Sequence, residues 1–150
     1  KISEINLDKA RASKYLDKLG EVAPDKIRID SKIKWIIYQR ELGNYDDIIN
    51  EIESLLGLSE FAAEYMQLEL ELGKVYKEQG DISIAKDIFS QMVDKYSNKK
   101  EIAEAYYHLG FMALMEDFNL DLAKEYFEKS KKELWKKYNR CFKRRFYLGL

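Results

Sequence analysis

The chain has 150 residues, 46% hydrophobic and 35% charged, with 26 Lys and Arg against 27 Asp and Glu. One domain fits that length, which suffices to bury roughly 68–70% of the surface of the unfolded chain. A lone cysteine, Cys141, excludes an internal disulfide framework or a Cys-rich zinc site, and a lone histidine, His108, argues against a histidine metal centre or a catalytic triad, so no metal and no cofactor is expected.

No apolar run approaches the roughly 18 residues of a membrane span, and the start has no signal-peptide core. Charge is balanced in total but blocked along the chain. Residues 1–40 carry ten bases and six acids, residues 41–73 nine acids and no base, and residues 127–150 nine bases and two acids. Such blocks suit charged partners or head-to-tail neighbours, and each also serves as a solvated face.

The predicted elements are helices throughout. The first ends in the break at Gly20 to Pro24, the second at Gly43-Asn44 and the third at Gly57 to Ser59. The fourth shows the pattern most clearly, with apolar residues at Ala62, Tyr65, Met66, Leu68, Leu70, Leu72, Val75 and Tyr76 marking a wide face and a narrower one. It stops at Gly80-Asp81, where glycine suits the left-handed end of one helix and aspartate the cap of the next. The fifth reaches Ser97-Asn98, the sixth Asp117 to Asn119, and a basic segment completes the chain. Segments of about 14–20 residues joined by short loops imply antiparallel neighbours.

The breaks recur. Leu72-Gly73 and Leu109-Gly110 stand 37 residues apart, as do Gly43-Asn44 and Gly80-Asp81, while Ala85 and Ala123, and Phe89 and Phe127, stand 38 apart. A fixed period of this size marks a stack of helix pairs rather than a closed bundle. Gly73 and Gly110 lack a β-carbon and let a paired helix approach, Ala85 and Ala123 do so from the other side, and Tyr76, Phe89 and Phe127 fill the wedge.

These residues resemble the tetratricopeptide repeat family. Leu72, Gly73, Tyr76, Ala85 and Phe89 match one unit, and Tyr106, Leu109, Gly110, Ala123 and Phe127 match the next, with one extra residue near Phe118. Ala12, Leu16 and Pro24 look like the second helix of an earlier unit, Gly43, Asn44 and Tyr45 mark a divergent one with Ile48 and Ile52 at the Ala and Phe positions, and Tyr147-Leu148-Gly149-Leu150 echoes His108-Leu109-Gly110-Phe111. The resemblance implies an all-α, right-handed solenoid of antiparallel helix pairs, about four repeats with truncated ends, in one segment 1–150 of a longer chain. The linker from Asp94 to Tyr106 looks like that of bacterial cell-envelope members, although Tyr96-Ser97 stands where they have Tyr-Pro; periplasm, envelope and cytoplasm all remain open.

Catalysis has little support. His108 reads as a packing or surface residue of a helix, and nothing distinguishes Glu64, Glu69 and Glu71 as an acid/base pair from a solvated helix face. Cys141 has bases around it but no partner base or resolving cysteine. Binding has more. In the resembled family the first helix of each unit lines a concave surface, which by register gives Ile33, Ile37 and Arg40, then Gln67, Leu70, Lys74 and Lys77, then Glu104, Tyr107, Phe111 and Leu114. Only Lys74 suits a carboxylate in the rows where the family clamps acidic peptide tails, so an apolar peptide or an amphipathic helix is the expected partner.

Between Lys129 and Arg145, Lys136, Arg140, Lys143 and Arg144 share one helical face, and Trp135, Tyr138, Phe142 and Phe146 another. This segment is expected to pack rather than to bind nucleic acid. The reading is a non-enzymatic scaffold for protein partners, self-associating through exposed apolar ends. The alternative is a peptide-sensing regulatory domain that controls an effector outside residues 1–150.

Overall fold

The computed structural model describes the backbone of residues 2–22, 25–96 and 102–147, and the side chains of residues 8–19, 21–22, 27–96 and 102–135. Among these residues every regular element is helical: α1 (Ile2–Val22), α2 (Asp25–Leu42), α3 (Tyr45–Leu56), a 3-10 turn (Ser59–Phe61), α4 (Tyr65–Gln79), α5 (Ile82–Lys95), α6 (Ala103–Met115) and α7 (Leu120–Tyr147). None is long and apolar enough to cross a membrane. The chain divides into two compact units, residues 1–81 and 82–150.

In the first unit α1 and α2 run antiparallel. Lys9 pairs with Glu41 near one end and Lys32 with Asp17 (3.2 Å) near the other, while Gln39 Nε2 donates to Ser13 Oγ (2.9 Å) between them. Gly43, at φ +81°, turns the chain into α3, and its N–H donates to Arg40 O (3.0 Å). L-residues with a β-carbon resist this conformation. Lys32 then reaches Glu51 of α3 at 3.2 Å, so one ammonium ties three helices together. The core is Ile29, Ile33, Ile36, Ile48, Ile52 and Leu55, closed by Phe61, Leu68 and Val75.

Helix α4 begins at Tyr65 rather than Ala62. The 3-10 turn buries Phe61 to 3% exposure, Ala62 N donates to Ser59 O (3.2 Å), and Glu64 N to Phe61 O (2.9 Å). Those short-range bonds hold residues 62–64 in turns and delay the helix. Helix α4 lies against α3, with Tyr65 Oη donating to Leu58 O (3.0 Å) at one end and Gln79 Nε2 to Asp46 Oδ1 (3.4 Å) at the other.

In the second unit, Phe89 of α5 is fully buried and stacks on His108 of α6, ring centroids 4.9 Å apart. Helices α6 and α7 are antiparallel: Ser130 Oγ donates to Ala103 O (2.7 Å), and an added β-carbon at Gly110 would meet the Phe127 ring at 2.8 Å. The turn between them includes Phe118, held at φ +51° with its side chain 86% exposed. Asn119 Oδ1 then accepts from Leu122 N (3.0 Å) and starts α7.

Helix α7 spans 28 residues, longer than the expected 14–20, because no glycine or proline interrupts residues 120–148. Pro24, Ser97-Asn98 and the Leu148-Gly149-Leu150 echo lie outside the described residues. So do the side chains of Cys141 and of the basic and aromatic positions from Lys136 to Phe146.

Candidate functional site

In the second unit the residues expected to meet a partner sort cleanly by helical register. Along α6, Ala105, His108, Leu109 and Met112 turn inward, all under 9% exposed. Tyr107, Phe111 and Leu114, spaced four and three apart, turn outward and are 50%, 40% and 37% exposed, and Glu104 is exposed beside them. One face of a single helix therefore presents two aromatic rings and a leucine. Tyr107 is supported from behind by an edge contact to His108 (5.6 Å) and a tilted one to Phe127 (5.9 Å). Leu114 continues into an open groove of about 400 Å³ lined with Leu120, Ala123 and Phe127 of α7.

The first unit places its expected residues differently. Ile33 is 6% exposed and belongs to the core, while Ile37 and Leu70 are half-buried and Gln67 is exposed. Arg40 and Lys74 converge on Glu71, a carboxylate 5% exposed: Arg40 Nε lies 3.3 Å from one oxygen and Lys74 Nζ 2.9 Å from the other. Arg40 also pairs with Glu78, and Lys77 is half-buried on the same helix. A carboxylate taken from water this far needs paired cations. The lysine that suited an incoming carboxylate is thus held by one from its own helix. The sequence does not set Glu71 apart from the acids around it; its i,i+3 spacing to Lys74 was legible, but the approach of Arg40 from α2 was not.

Histidine 108 is a packed aromatic. It is 7% exposed, lies between Phe89 and Tyr107, and has Glu104 at 4.0 Å from Nε2. Among the described residues no group of three or more His, Cys, Asp or Glu side chains is arranged to hold a metal. At the start of the basic segment, the hydrogen bond to Glu125 (2.6 Å) is the largest influence on Lys129 and holds its ammonium above the usual lysine pKa against the opposing effect of burial.

Residues 68–99 match the family model of the tetratricopeptide repeat, a stretch that takes in most of α4 and all of α5. No curated protein and no solved structure matches the chain. Repeats of this family generally mediate protein–protein interaction and are typically non-enzymatic scaffolds. Residues 68–99 thus carry a tetratricopeptide repeat, in an all-helical chain whose Gly, Ala and Phe recur at 37–38 residues.

Proposed function

We propose that the chain is a non-enzymatic interaction module that captures an apolar segment of a partner protein, an extended peptide or an amphipathic helix, on the outward face of α6. The observation that carries the reading is the exposure of Tyr107, Phe111 and Leu114 on one face of a helix whose opposite face is core. Aromatic anchors set on a rigid helix contribute large contact area at little entropic cost. Acidic peptide tails are not the target, because Arg40 and Lys74 already neutralise Glu71 and Glu78.

Selection of peptides from an unbiased display library tests it. The selected peptides should be rich in large apolar residues, and Tyr107→Ala with Phe111→Ala should weaken their binding by about 2 kcal/mol or more while the melting temperature stays nearly unchanged. Selection of acidic tails, or binding lost only together with the fold, would refute the proposal.

A further inference from the structure

Helix α7 turns Ala123, Phe127 and Ser130 toward α6 and leaves the adjoining flank uncovered. Leu120, Lys124, Glu128, Lys131 and Trp135 run down that flank at spacings of four, four, three and four, so they form one stripe. Leu120 and Trp135, at its ends, are 69% and 66% exposed, and Lys124, Glu128 and Lys131 between them are exposed as well. Two open depressions, about 400 and 490 Å³, lie along the stripe and share Glu128 and Lys131. Among the described residues none of the three charged side chains takes part in an ion pair.

We propose that two copies of this chain associate through this stripe, α7 against α7 in antiparallel alignment. The order lysine, glutamate, lysine, tryptophan is its own complement when reversed. With the two-fold axis between Lys129 and Ser130, Glu128 faces the second copy's Lys131, and Lys124 faces the second copy's Trp135 as a cation over an indole. Symmetry makes each contact twice. A parallel alignment would instead set Lys124 on Lys124 and Glu128 on Glu128, like charge on like. The antiparallel register also carries each Trp135 toward the groove of Leu114, Leu120 and Phe127, which supplies the apolar seat that a tryptophan anchor needs. The contact uses α7 and shares only Leu114 with the peptide-binding face of α6, so either reading stands or falls without the other.

Sedimentation velocity of the 150-residue chain over about a hundredfold concentration range tests the pairing. The chain should pass from monomer to dimer. Glu128→Lys or Lys131→Glu alone should weaken the dimer about tenfold, since each puts like charges together at two symmetric contacts. Trp135→Ser should weaken it at least as much. The double variant E128K/K131E, and an equimolar mixture of the two single variants, should restore dimerisation, because both recreate opposite charges at each contact. Circular dichroism of each variant separates lost pairing from lost helix. A chain that stays monomeric throughout, as one whose stripe serves a foreign helix would, overturns the proposal. So does a dimer indifferent to the reversals, or reversals that neither combination rescues.

Discussion

Gly110 and Phe127 show how one missing β-carbon sets a helix–helix distance. A methyl group at Gly110 would sit 2.8 Å from two atoms of the Phe127 ring, closer than carbon atoms tolerate. Glycine inside a helix costs about 1 kcal/mol relative to alanine, so the close approach offsets a real penalty. The ring borders an open groove and can yield slightly, so Gly110→Ala should prove nearly neutral, the helical gain balancing the clash. Gly110→Leu has no such escape and should destabilise by about 1–3 kcal/mol in a denaturant titration.

The glycine and phenylalanine positions were legible because they recur, and where the pattern lapses the volume moves across the pair. Ile36 occupies in α2 the register position of Gly73 and Gly110, and Ile52 in α3 that of Phe89 and Phe127; both isoleucines are fully buried. At Phe118 the break was legible but the backbone conformation was not. Its left-handed backbone is a glycine's role, as at Gly80 with φ +100°, and nothing in the residue type announces it.

At the scale of elements, helix existence followed from periodicity and turn residues, while the start of α4 followed from contacts the sequence does not display. The late start of α4 is set by burial of Phe61, and the length of α7 by the lack of any breaker. The joint of α1, α2 and α3 rests on Lys32. Burial alone would lower the pKa of its ammonium, but the carboxylates of Glu51 and Asp17 outweigh that and hold it above the usual lysine value. A raised folded pKa gives stability that is fully present below the unfolded value of about 10.4 and is lost as pH rises through the folded value. Lys32→Gln should therefore cost about 1 kcal/mol near neutral pH, and the gap between variant and wild type should hold to about pH 10 and shrink beyond it. Thermal melts across that range read the gap directly.

For the whole molecule, the blocked charge of the sequence resolves into internal pairing as well as surface. The acidic stretch 41–73 supplies Glu51, Glu60 and Glu71 to Lys32, Arg28 and Arg40, so part of the apparent field for a charged partner is spent within the first unit. That pairing joins residues 19 to 32 positions apart, which a single sequence cannot reveal. The candidate binding residues were legible only by register, which picked out the exposed face of α6 but could not separate core from surface at Ile33 or show that Lys74 was engaged. The envelope subtype rests on the linker from Asp94 to Tyr106, part of which lies outside the described residues.

The central claim is that the outward face of α6 receives an apolar partner segment. Its most direct test is a titration of a library-selected amphipathic peptide into the isotope-labelled chain, followed by amide chemical shifts. The account predicts that the largest shifts fall on residues 104–115, around Tyr107 and Phe111. Shifts centred instead on Arg40, Glu71 and Lys74, with α6 undisturbed, would contradict it.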